Sequence, residues 1–128
     1  MAMKAIQHPD KKVSTGAYSA AVEIDGWVYI SGQIPIDLAT GEIQRGTIEE
    51  QTRVVLGHID KMLEAAGCGR QDVVKCQCFL GDIADFARFN EVYAEFFDTQ
   101  PRPARSTLAC QLIHDVKIEI DAIAKCPG

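Results

Sequence analysis

The chain has 128 residues, 47% of them apolar and 24% charged, and carries a formal net charge of −5. That length fits one hydrophobic core and leaves little room for another, so a single domain over 1–128 is expected. The acidic balance, without any basic block, argues against a nucleic-acid surface, whose affinity comes from Lys and Arg on phosphates. No apolar run reaches membrane-spanning length and the first residues lack a signal-peptide core, so no membrane partner is expected. The cysteines, Cys68, Cys76, Cys78, Cys110 and Cys126, are odd in number and follow no disulfide framework. They read as free thiols, which places the protein in the reducing cytoplasm.

In chain order, Ala2–Gln7 forms a short first strand. The polar segment from His8 to Gly16 is a loop that delivers Tyr18. Two β-rich runs, SAAVEI and WVYISGQI, flank Asp25-Gly26, which predicts a hairpin with a two-residue turn. Gly32, at the end of the second run, suggests close approach of another group to the backbone. After a loop from Pro35 to Gly46, Thr47 and Glu50 form a capping box for a helix. Its apolar face runs Ile48, Val55, Ile59, Met62, Leu63 and Ala66, and Gly67 stops it. Val73–Leu80 is a further strand. Asp82 caps a second helix with the aromatic stripe Phe86, Phe89, Tyr93, Phe96 and Phe97, and Pro101 and Pro103 end it.

The last stretch reads as two strands, roughly Arg105–Leu112 and Val116–Ala124, broken by a His114-Asp115 turn. In the second strand Val116, Ile118, Ile120 and Ala122 alternate with Lys117, Glu119 and Asp121. The element order is thus β-β-β-α-β-α-β-β, an α+β domain with two helices on one face of a sheet of about six strands. Strand 73–80 is apolar on both faces, yet two helices cover only one. The other face must be buried by something outside the chain, most simply by copies of itself.

Arg105 and Glu119 are charges on otherwise apolar strands, where charge is rarely placed without a partner. Both are expected to face one small acidic substrate. Arg105 offers a planar fork that matches a carboxylate, or else a structural ion pair. Glu119 can hold a water or trade a proton, or else it belongs to a solvated strand face with Lys117 and Asp121. Tyr18 can bond a ligand through its hydroxyl or simply pack. The aromatic stripe reads as core. His8 and His58 stand alone, no zinc-ligand set forms around Cys76 and Cys78, and no phosphate-binding glycine motif occurs. Neither metal nor cofactor is expected.

The segments Gly16-Ala17-Tyr18-Ser19, Ile30-Ser31-Gly32-Gln33-Ile34-Pro35, Thr40-Gly41-Glu42-Ile43, Glu64-Ala65-Ala66-Gly67, Asp85-Phe86-Ala87-Arg88-Phe89-Asn90, Pro103-Ala104-Arg105-Ser106 and Val116-Lys117-Ile118-Glu119-Ile120 together resemble the reactive-intermediate deaminase (Rid, YjgF-like, endoribonuclease L-PSP-like) family. The resemblance runs over nearly the whole chain. It implies a chorismate-mutase-like fold and a homotrimer with a central barrel and three active sites between subunits. It also implies hydrolysis of 2-imino acids and their enamines, such as 2-aminoacrylate and 2-aminocrotonate, to 2-keto acids and ammonia.

Carried over by position, Arg105 would clamp the substrate carboxylate and Glu119 would position water and move a proton. Tyr18 would line the pocket, with Ser31, Gly32, Asn90 and the backbone around Thr107 completing it. Two departures from the family pattern, Ala17 for Pro and Thr107 for Cys, together with the unusual Ala109–His114 run, bear on substrate preference. They leave room for a specialised catabolic deaminase of the aminomuconate or 3-aminoacrylate type. A trimeric small-carboxylate-binding protein without catalysis is the remaining alternative. The ribonuclease or translation-inhibitor roles ascribed to some relatives are disfavoured by the acidic charge.

Overall fold

A computed structural model of the chain describes residues 2–11 and 16–127. The expected loop from His8 to Gly16 therefore falls partly outside the described residues. Six strands and two helices form the fold: β1 (Lys4–Ile6), β2 (Ala21–Ile24), β3 (Trp27–Gln33), α1 (Ile48–Ala65), β4 (Val73–Leu80), α2 (Phe86–Phe96), β5 (Ala104–Ala109) and β6 (Ile118–Lys125). The element order and the mixed six-stranded sheet are those read from the sequence.

Local signals act where expected. Asp25 and Gly26 both take positive φ, 52° and 82°, as a type I′ turn between β2 and β3 requires. Thr47 accepts from Glu50 N–H at 3.1 Å while the Glu50 carboxylate accepts from Thr47 N–H at 2.8 Å, closing the capping box of α1. At its other end Gly67 N–H donates to Glu64 C=O and Cys68 N–H to Leu63 C=O, a Schellman stop with Gly67 at φ 80°. Asp82 instead caps a short 3₁₀ turn over Ile83–Asp85, which leads into α2.

The strand order is β1-β2-β3-β6-β4-β5. The last two strands, consecutive in sequence, are not neighbours. β4 lies between them, antiparallel to β6 and parallel to β5. The strand opened by Arg105 ends at Ala109, three residues before the expected Leu112, and a 3₁₀ turn over Ile113–Asp115 returns the chain to β6. β5 is thus an edge strand.

Both helices pack on one face of the sheet. Val55, Ile59 and Leu63 of α1 and Phe89 and Tyr93 of α2 share a core with Val28, Ile30, Cys76, Cys78, Leu80, Ile118 and Ile120. The opposite face carries Tyr29 beside Ile123 and Phe79 beside Leu108 in register. Tyr29 is 44% exposed and Leu108 47%. This face is uncovered but mixed rather than apolar: beside Phe79, β4 brings Lys75 and Gln77 to it and β6 brings Glu119 and Asp121, while Val73 is buried.

Two expectations about single side chains are corrected. His8 and His58 do not stand alone: His58 Nδ1 lies 3.0 Å from His8 Nε2. The cysteines are not all free, because Cys68 and Cys126 are paired, with Cα atoms 5.1 Å apart, in the range a disulfide needs. The pair ties the end of β6 to the loop after α1. Cys76 and Cys78 are buried in the core as free thiols. Burial pushes the Cys76 thiol up to about 11, so it is held protonated and unreactive.

Candidate functional site

Arg105 stands second on the edge strand β5, in register with Cys76 of β4, and so points to the helix-covered face. Its Nη1 donates to Asn90 Oδ1 of α2 at 2.7 Å. The guanidinium carbon lies 4.7 Å from the Tyr93 ring centre, 5.6 Å from that of Phe86 and 5.7 Å from that of Phe89. The aromatic stripe that periodicity assigned to the core therefore does two jobs: it fills the interior and collars a cation. The stripe was legible in the sequence, but its second role needed the parallel pairing of β4 and β5. Among the described residues Arg105 forms no ion pair. One Asn oxygen satisfies one donor of five, and a rigid fork remains for a planar anion.

Thr107, two residues on and in register with Cys78, shares that face. Its Oγ1 is buried without a hydrogen-bond partner. Arg105, Asn90 and Thr107 thus form one cluster.

Glu119 is placed differently. It lies in register with Phe79 on β6 and so points to the bare face, opposite Arg105. The expectation that both charges face one substrate is therefore not met within a single chain. Glu119 is half-buried, and desolvation, aided by the neighbouring Asp121 carboxylate, raises its pKa above the ordinary glutamate value. A Cβ on Gly32 would collide with the Glu119 carboxylate and come within 2.9 Å of its Cδ. The missing side chain of Gly32 makes the floor on which Glu119 rests, the close approach its position suggested.

Ser31 braces the same corner. Its N–H donates to Ala20 C=O at 3.0 Å and its Oγ to Ser19 C=O at 2.7 Å, which fixes the segment carrying Tyr18. Tyr18 is 59% exposed. It lines a cavity of about 300 Å³ together with Gly32, Gln33, Ile34 and Ile36. Tyr18, Ser31, Gly32 and Glu119 are thus a second cluster, around the end of β3. A wider hollow of about 480 Å³, lined by Arg45, Asp82, Asp85 and Asp115, contains none of the expected site residues.

The His8–His58 pair borders the second cluster, since His8 also lines the Tyr18 cavity. His8 Nδ1 accepts from Asp10 N–H at 3.0 Å, and His58 Nε2 lies 2.7 Å from Ile36 C=O, to which it must donate. That leaves His8 Nε2–H to donate to His58 Nδ1, so both rings are satisfied when neutral. Burial and the facing imidazole depress His8 to about 4. No periodic pattern or motif joins residues this far apart in the chain.

Comparison with known proteins places this arrangement in context. Residues 9–126 match the family model described as endoribonuclease L-PSP. A RutC family protein of Pyrococcus horikoshii is 50% identical over 110 residues, covering 85% of this chain and 86% of its own. The solved structure of a Rid family protein from Yersinia pestis superposes with a TM-score of 0.91 at 37% identity, covering 97% of this chain and 99% of the other. That of E. coli TdcF with bound serine does so with a TM-score of 0.87 at 36% identity, covering 97% and 99%.

Proposed function

This chain belongs to the endoribonuclease L-PSP (Rid, YjgF-like) family, and on that premise we propose that it is a hydrolytic deaminase of small 2-imino acids and their enamines. The observation that carries the reading is the division of the site into two incomplete halves. One half offers a cation with open donors beside an orphan hydroxyl. The other offers a carboxylate of raised proton affinity on a glycine floor. The chemistry needs both, and one copy turns them to opposite faces. A homotrimer resolves this: its bare sheet faces close into a barrel, and the β5 edge of one copy meets the Gly32–Glu119 corner of the next. The serine bound in E. coli TdcF, an amino acid with a carboxylate, supports a small-molecule site of this kind.

In the proposed reaction Arg105 pairs with the substrate carboxylate and Asn90 holds the guanidinium in line. Glu119 accepts a proton from water as the water oxygen bonds to C2 of the imine. The proton passes to the nitrogen, the C2–N bond breaks as the new hydroxyl gives its own proton to Glu119 and forms the C2=O bond, and ammonia leaves with a 2-keto acid. An iminium carbon is already electrophilic, so orientation and one proton relay suffice. Tyr18 lines the substrate, and Thr107 Oγ1 offers a hydroxyl to it from the Arg105 side.

The test is ammonia release from an imino acid generated in place by threonine dehydratase. Wild-type protein accelerates it, whereas Arg105→Ala loses about 100-fold or more of the acceleration. An Arg105→Ala variant as active as wild type would remove Arg105 from the site. Tight binding of 2-oxobutyrate without acceleration would favour a carboxylate-binding protein, and activity confined to longer conjugated substrates would favour a specialised catabolic deaminase.

A further inference from the structure

The cavity beneath Tyr18 extends well beyond what a two-carbon substrate side chain fills. Ile34, Ile36, Leu38 and Ile113 make its lining mainly apolar, and Lys11 and His114 add polar groups to it. At about 300 Å³ it sits at the lower end of small-molecule sites. Ile113 is a large apolar side chain left 64% exposed at its mouth.

The backbone that presents Ile113 is strained. His114 and Asp115 take successive left-handed conformations, with φ of 59° and 53°. Neither is glycine, and such conformations persist only where the surroundings hold them. Here Arg45 Nη1 donates to Asp115 C=O at 3.1 Å and fastens the turn. A turn that costs conformational energy to hold an isoleucine over a cavity is a candidate for substrate selection. It is also the Ala109–His114 segment in which the sequence departs from the family pattern.

We propose that Ile113 is a specificity-determining residue, and that this cavity receives the substrate side chain and selects 2-imino acids with unbranched aliphatic chains of about four carbons over two-carbon ones. The inference rests on the deaminase reading above and concerns the side-chain end of the same site. Each further buried methylene is worth about a fourfold gain in kcat/KM until the cavity is full.

An L-amino-acid oxidase supplies the substrates from 2-aminobutyrate, norvaline, norleucine and 2-aminoadipate, and keto-acid formation is followed with and without the protein. Wild type is expected to prefer the norleucine-derived imine to the 2-aminobutyrate-derived one by about tenfold or more. Ile113→Ala reduces that ratio by about fivefold, and Ile113→Leu retains it. Because Ile113 is exposed, neither substitution threatens the core. Turnover without chain-length preference, or an unchanged ratio in Ile113→Ala, overturns this inference and leaves the deaminase reading intact. Faster turnover of the aminoadipate-derived imine than of the norleucine-derived one overturns the aliphatic assignment in favour of anion recognition by Lys11 and His114. No turnover of any substrate overturns both readings.

Discussion

Gly32→Ala is the substitution whose consequences the geometry specifies most closely. A Cβ at this position comes within 2.9 Å of Glu119 Cδ and 3.2 Å of its Cγ, and collides with the carboxylate itself. Carbon atoms in contact prefer about 3.5–4.0 Å, so the carboxyl carbon must retreat by roughly 0.6–1.1 Å. The atoms it meets are the end of a flexible side chain on the bare face, so Glu119 swings away and the backbone stays. Gly32 carries no positive φ, and alanine there lowers the entropy of the unfolded chain, a gain of about 0.4–1 kcal/mol that offsets the crowding. Stability should therefore stay within about 1 kcal/mol of wild type by urea denaturation. Activity should not: displacing a proton-transfer group by this much costs about 100-fold in kcat/KM. The assay is ammonia release at saturating and sub-saturating imino acid, with the fall expected chiefly in kcat. Wild-type kcat/KM in a folded Gly32→Ala protein would refute the claim that Glu119 works from this floor.

Three further outcomes follow from the same structure. Folding raises the Glu119 pKa, so its ionisation costs stability as pH rises through the folded value. Glu119→Gln should thus melt no lower than wild type at pH 7, with the difference vanishing below about pH 4, while activity drops about 10²–10⁴-fold; a variant less stable at neutral pH would contradict the sign. His8 runs the other way: its pKa falls from 6.5 to about 4 on folding, so its contribution is present above pH 6.5 and lost as pH falls towards 4. A Tm profile should slope upward across that window and flatten in His8→Gln, and an unchanged slope would dismiss the buried imidazole pair as its source. For Cys68–Cys126, bridging a sequence separation of 58 residues, reductant should lower stability by about 2–4 kcal/mol and raise the titratable thiols of the denatured protein by two. Equal thiol counts with and without reductant would show that the pair is not bonded.

Much of the fold was legible one element at a time. The Asp25-Gly26 turn, the Thr47–Glu50 box, the Gly67 stop and the 73–80 strand each depend on residues within a few positions of one another, and each forms where the pattern put it. The uncovered face was legible only in part: alternation in β4 assigns Phe79 a side that two helices could not cover, but Lys75 and Gln77 share that side and Val73 does not. Arg105, Glu119, Tyr18 and Asn90 were singled out as candidates, but how they group was not.

The grouping depends on strand order, and no local pattern carries strand order. Alternation says that Arg105 and Thr107 share a face, and that Glu119 and Asp121 do. It does not relate one pair to the other, because that relation is set by the register of β5 and β6 on the β4 strand between them. Once β4 intervenes, the two charges turn away from each other and each half of the site looks outward. The same holds for the aromatic collar around Arg105, the His8–His58 contact and the Cys68–Cys126 pair. Chain sequence alone settled the elements and their apolar faces, since those follow from the 3.6- and 2-residue periods of the backbone. Which distant side chains meet was decided by the packing of the assembled sheet and helices.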